Sequence, residues 1–188
     1  GVDEQIELIG CAHQPLADPT PAQMVGCEGF IGEFGPVSAK TADAMARAGI
    51  RIVSSMSIGV NHVDVAALAQ HGIITTNCPG YCSLDVAQHA TGLMLDLMRK
   101  ITFSNREVLG GAWEPTGGYT AHRTQGQTIG LVFFGNIARS MASIAQALGM
   151  NVVVWAPTKT HEELAQAGCT KMESLDELLA ASDVVSLH

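Results

Sequence analysis

The sequence predicts an α/β protein whose parallel sheets carry helices on their faces. Three observations predict it. From Phe30 to Asn77 short β-branched runs alternate with helix-patterned segments, the order that parallel strands and crossover helices require. Thr128–Ala156 then reads strand, tight turn, helix, strand, a βαβ unit with a right-handed crossover. Third, the 188 residues are 47% apolar and 15% charged, with 20 Gly and only 5% aromatics. Small residues let helices lie close on a sheet, and this composition belongs to a folded chain rather than a disordered one.

The elements follow in order. Glu4–Ile9 has a helical pattern. Pro15, Pro19 and Pro21 interrupt the next segment, and Thr20 can cap a short helix at Pro21–Val25. Phe30–Phe34 is a strand candidate. Ser38 can cap a helix to Ala48 that Gly49 ends. Ile50–Ser54 is a strand, Asp64 caps a short helix closed by His71-Gly72, and Ile73–Thr76 is a strand. After a turn at Asn77–Ser83, Ser83 is expected to cap a long helix from Leu84 to about Ile101, with Ala87, Ala90, Thr91, Met94 and Met98 on its apolar face. Residues 102–127 are polar and Gly-rich, which reads as a linker or an arm laid on another surface. Beyond the βαβ unit, Thr160/Glu163 and Ser174/Glu177 have capping-box spacing. Strands are expected near residues 131, 153, 171 and 186. Four strands make one mononucleotide half plus one strand of a second half.

The βαβ unit carries the main chemical signal. Backbone N–H groups at the start of its helix, Gly135-Asn136-Ile137, point at whatever lies over the turn, and the helix dipole favours an anion there. A dinucleotide pyrophosphate is the leading candidate. The G-x-G-x-x-G fingerprint is altered to Phe133, Gly135 and Ala138, and the acidic residue expected after the second strand is Ala156. Phe133 could fill space that the first glycine leaves open. Ala156 cannot bond a ribose hydroxyl, and Lys159 could pair with a 2′-phosphate, so NADP and loss of cofactor binding both stay open.

Composition narrows the alternatives. The net charge is −8 and no Lys/Arg cluster appears, which argues against a nucleic-acid surface. No apolar run approaches the roughly 20 residues of a membrane span. Residues 1–20 show no basic start followed by an apolar block. The five cysteines are odd in number and match no zinc spacing, so they are expected to be reduced core residues of a cytoplasmic protein, with no metal site.

The order of motifs resembles the D-isomer-specific 2-hydroxyacid dehydrogenases. Ser57-Ile58-Gly59-Val60-Asn61-His62-Val63-Asp64 is similar to that family's substrate loop. Asn77-Cys78-Pro79-Gly80 with Val86-Ala87-Gln88-His89 is similar to the turn and helix entering its nucleotide domain. Gly111-Ala112-Trp113 resembles its dimer arm, Thr128–Arg139 its nucleotide loop, and Ser174–His188 the following helix and strand.

The resemblance implies two Rossmann- or flavodoxin-like parallel-sheet domains. Residues 1–80 would be the substrate-binding domain, its first strand missing before Gly1. Residues 81–188 would hold the linking helix, the arm and the first half of the nucleotide domain. The implied function is NAD- or NADP-dependent oxidation and reduction between a D-2-hydroxy acid and its 2-keto acid, by a homodimer. The family's Arg, His and Glu lie beyond the strand matching Asp183–His188, so no catalytic residue is assigned here. Ile58 and Gly59 are the expected substrate-binding residues. Val86, Gly135, Asn136, Ile137, Ala156 and His188 are the expected cofactor-binding residues. His89 is expected to be structural, and His62 and His122 solvated. The competing expectation is a non-catalytic nucleotide-sensing or interaction protein on the same fold.

Overall fold

The computed structural model describes residues 6–10, 18–33, 35–114 and 119–188. The chain divides into two compact units, Gly1–Tyr81 and Cys82–His188. In the first unit the order is α1 (Pro21–Met24), β1 (Gly29–Gly32), α2 (Ala39–Ala48), β2 (Ile52–Ser55), α3 (Val65–Gln70) and β3 (Ile74–Thr76). The strands form a parallel sheet in the order β1-β2-β3. Ser38 Oγ accepts from Thr41 N–H and Asp64 Oδ1 from Ala67 N–H, so α2 and α3 start at the caps their sequences supply. Gly49 and Gly72 adopt left-handed backbone (φ 92° and 70°) where α2 and α3 turn back to strands. Met24, Val37, Met45, Val53, Leu68 and Ile73 fill the core between them.

The second unit runs α4 (Ser83–Arg99), α5 (Ile101–Leu109), β4 (Thr128–Val132), α6 (Asn136–Ala147), β5 (Asn151–Trp155), α7 (His161–Gln166), β6 (Thr170–Lys171), α8 (Leu175–Ala181) and β7 (Val184–Leu187). All four strands are parallel, in the order β6-β5-β4-β7. Asp183 clamps β7 to the start of β4. Its carboxylate accepts from Thr128 N–H and its own N–H donates to Thr128 O. One face of the sheet packs Ile129, Leu131, Val152 and Val154 with residues of α4 and α6. The other packs Val132 and Val153 with Leu178 of α8. Ala87, Thr91, Met94 and Met98 of α4 are buried, the face their spacing predicts.

Several local expectations need correction. Ile6–Gly10 form no helix, and the part of Glu4–Ile9 before Ile6 lies outside the described residues. Ile6 and Leu8 are exposed, and a helix this short needs a buried face to persist. The strand expected at Phe30–Phe34 is shifted to Gly29–Gly32, with Phe34 outside the described residues. Ser83 is the first helical residue of α4 rather than its cap. Cys82 holds the cap position without a side-chain bond, and Ser83 Oγ is buried with no partner. Residues 101–109 are helical rather than irregular. Lys100 turns left-handed (φ 59°) and ends α4, and Asp96 Oδ1 accepts from Thr102 N–H to restart the chain as α5. No residue of α5 is buried, so the sequence carries no core-facing period to reveal it. The Thr160/Glu163 box is complete. At Ser174 only half forms, because the Glu177 carboxylate accepts from Glu173 N–H instead.

Candidate functional site

The chain runs from β4 through β5 to β6 at one edge, then returns with β7 on the far side of β4. Ligands of open parallel sheets gather beside such a reversal, at the carboxyl ends of the strands. Gly135, Asn136 and Ile137 follow β4, Ala156 follows β5 and His188 follows β7, so these expected positions share one end of one sheet. His188 N–H reaches Val132 O at 3.3 Å.

The start of α6 has no side-chain cap. Gly135 is its cap, and the first helical hydrogen bond runs from Arg139 N–H to Gly135 O, 3.0 Å. The N–H groups of Asn136, Ile137 and Ala138 therefore have no acceptor within the helix. α2, α3, α7 and α8 open on Ser38, Asp64, Thr160 and Ser174, whose side chains accept from the first turn. α6 has no such side chain and no acidic residue in its first turn. The space is open too, since a Cβ built on Gly135 meets nothing within 4 Å. These residues fit a phosphate group.

Phe133 does not close that space. Its backbone is left-handed (φ 70°), and its N–H donates to Trp155 O at 2.8 Å. The ring turns to Trp155, centroids 5.6 Å apart, and stays half exposed. A non-glycine residue here carries about 1–2 kcal/mol of strain. Phe133→Gly removes that strain, whereas Phe133→Ala keeps it and loses the ring contact. Chemical denaturation should therefore find the Gly variant more stable than the Ala variant by about 1 kcal/mol, the reverse of their order in an ordinary strand. An Ala variant equal to or above Gly in stability refutes the strain.

Ala156 is buried at 1% exposure and offers no side-chain acceptor. Lys159 Nζ is 3.1 Å from Glu163 Oε1, while Glu163 Oε2 accepts from Thr160 N–H at 2.8 Å. The Thr160 N–H, then Lys159, hold the Glu163 carboxyl below its usual range. Lys159 is thus engaged rather than waiting for a phosphate. The i,i+4 spacing of the two residues is the sequence signal for this pair, and the capping role of Glu163 masks it.

His188 Nε2 is buried without a partner, and desolvation lowers the ring's pKa from its ordinary 6.5. A His with a depressed folded pKa contributes stability that is complete above the unfolded value and lost as pH falls toward the folded one. Denaturation midpoints should decline as pH drops below 6.5, and His188→Gln should flatten that decline. An unchanged slope in the variant refutes the assignment.

Val86 is in the first turn of α4 and 40% exposed, so it is not a core residue. His89 is also exposed, contrary to a structural role in the core. His122 is exposed as expected, but His62 is half-buried, its Nε2 3.4 Å from Ser55 Oγ. Cys169 is buried, Cys27 and Cys82 are half-buried, and Cys78 is exposed rather than in the core; Cys11 lies outside the described residues. Among the described residues no three His, Cys, Asp or Glu side chains converge on a metal position, and no helix is long and apolar enough to cross a membrane.

Ile58 and Gly59 belong to the first unit, in the loop after β2. Ser57 Oγ donates to Glu33 O (2.6 Å), and Asn77 Nδ2 donates to Ile58 O (2.7 Å). Cys78 N–H donates to Ser57 O. These bonds pin the loop from both sides. Gly59 is exposed, with nothing within 4 Å of a built Cβ.

Residues 91–188 match the model of the D-isomer specific 2-hydroxyacid dehydrogenase, NAD binding domain. The chain belongs to that family. Among its family relatives, the chain is 34% identical to D-3-phosphoglycerate dehydrogenase of Archaeoglobus fulgidus over 74% of its length and 26% of the relative's. It is 35% identical to hydroxypyruvate reductase of Blautia hydrogenotrophica over 74% of its length and 44% of the relative's. Among solved structures, D-lactate dehydrogenase from Aquifex aeolicus complexed with NAD and lactic acid superposes with TM-score 0.82 and 26% identity, over 90% of this chain and 50% of that one. A Thermus thermophilus protein of this fold gives TM-score 0.78 and 31% identity over 89% and 52%. The chain thus spans between about a quarter and about half the length of these family members. The family match is to an NAD-binding domain, the cofactor class expected from α6.

Proposed function

We propose that this chain carries the carboxylate-capture loop and the cofactor seat of an NAD(P)-dependent D-2-hydroxyacid oxidoreductase. The single observation behind this reading is the open, uncapped start of α6 at Gly135, inside the family's NAD-binding domain. Residues 1–80 are assigned to substrate and residues 81–188 to the linking helix, arm and cofactor. The N–H groups of Asn136 and Ile137 hold the diphosphate, aided by the helix dipole. Val86, Ala156 and His188 border the cofactor. When bound, the nicotinamide supplies the hydride acceptor or donor for C2 of the acid. Ile58 and Gly59 take the substrate carboxylate on backbone N–H groups, where Gly59 admits close approach. No general acid or base is assigned within these 188 residues, so the chain alone should bind NADH without turning over 2-keto acids. Nicotinamide fluorescence titration and an NADH-oxidation assay with a panel of 2-keto acids test both halves. Absence of binding sinks the cofactor seat, and enzyme-dependent oxidation sinks the predicted inactivity.

The same reading includes a homodimer formed through α4 and α5. Leu84, Leu93, Leu97, Ile101, Val108 and Leu109 are each more than half exposed there. A groove of about 410 Å³ beside them is lined by Ser104, Glu107, Val108, Ala112, Trp113 and Tyr119. An apolar face of this extent marks an association surface. Sedimentation should find a dimer for the parent chain and a monomer for Leu97→Arg, with the melting temperature of the second unit changed little by this exposed site. A monomeric parent chain refutes the assignment.

A further inference from the structure

We propose that the cofactor seat accepts NAD and NADP without distinguishing the 2′ substituent of the adenosine ribose. This rests on the reading of α6 as the diphosphate seat. Discrimination at the end of β5 needs a charge: a carboxylate accepts from ribose hydroxyls and repels a 2′-phosphate, and a free cation does the opposite. Ala156, the residue that follows β5, carries neither. Ala156 supplies a buried methyl group. Lys159 is neutralised by Glu163, and the Glu163 carboxylate accepts in turn from Thr160 N–H in the capping box that starts α7. Releasing Lys159 toward a phosphate leaves the Glu163 carboxylate facing that same phosphate, and moving the Glu163 side chain away breaks its half of the capping box.

Other charged groups near this end act on neighbours: the Lys171 charge, on β6 beside β5, acts on the Glu162 carboxylate. His161 is paired with Glu173 at 2.7 Å. Arg139 stands over the Phe134 ring, 5.1 Å from its centroid, one turn into α6. Its charge, like that of Lys159, acts on the Glu163 carboxylate. Phe133 and Trp155 present aromatic surface, which makes apolar or stacking contact that is blind to the 2′ position.

Titrating the 188-residue chain with NADH and with NADPH, read by nicotinamide fluorescence, tests this directly. The two dissociation constants should agree within about threefold, and Lys159→Ala should leave their ratio within that range. Ala156→Asp, restoring a carboxylate after β5, should shift the ratio toward NADH by about tenfold or more. Circular dichroism checks that this buried substitution folds. If it does not, the parent ratio and Lys159→Ala decide. A tenfold preference by the parent chain in either direction overturns the proposal and leaves the α6 seat standing. So does a tenfold selective loss of NADPH affinity in Lys159→Ala. Binding of neither cofactor overturns the seat, and the proposal with it.

Discussion

Gly130→Ala should destabilise the second unit by about 2–3 kcal/mol, with a fall in melting temperature on the order of 10 °C. Gly130 lies in the middle of β4, a strand with neighbours on both sides. A methyl group there would overlap Ser182 Oγ and approach Leu178 Cδ2 to 2.6 Å. Neither neighbour can withdraw freely. Leu178 is fully buried and is the core residue of α8, and Ser182 Oγ donates to Leu178 O at 2.6 Å. The strain therefore spreads to the α8 backbone and to the β4–β7 pairing. Thermal and chemical denaturation measure the loss. A change below about 0.5 kcal/mol would show that α8 does not pack on β4 this closely.

Gly135→Asp should separate stability from binding. The Gly135 backbone (φ −82°, ψ −165°) suits any L-residue, and a side chain there enters open space. An Asp at this cap can accept from the first-turn N–H groups of α6 and complement the dipole, raising stability by about 0.3–1 kcal/mol. The same carboxylate occupies and repels the position of a diphosphate. NADH affinity should fall at least about 30-fold, or about 2 kcal/mol. Parallel melts and titrations give the two signs. Unchanged affinity would mean that the cofactor does not sit on α6. Loss of both stability and affinity would mean that the loop is not open as described.

Much of the fold was legible because its signals are local. The caps at Ser38, Asp64 and Thr160 and the left-handed turns at Gly49 and Gly72 depend on one residue and its close neighbours. The apolar face of α4 depends on spacing alone. Two of the misreadings share one cause. α5 buries nothing, and Ile6–Gly10 are exposed, so neither stretch obeys the rule linking hydrophobic period to structure. Ser83 misled because the cap position is set by backbone torsion one residue earlier.

By itself the sequence determined the parallel α/β class, the family, and the start of α6 at Gly135 without a capping side chain, because alternating elements and motif order need no knowledge of distant contacts. Phe133 and Ala156 could be recognised as departures, but their consequences could not. Only the tertiary structure decided that the Phe133 ring turns to Trp155 and leaves the space over Gly135 open. It also decided that Lys159 is spent on Glu163. Ring direction follows from a left-handed torsion and from a neighbour 22 residues away on the adjoining strand. The availability of a charge follows from who else is within reach of it, and the fold sets both.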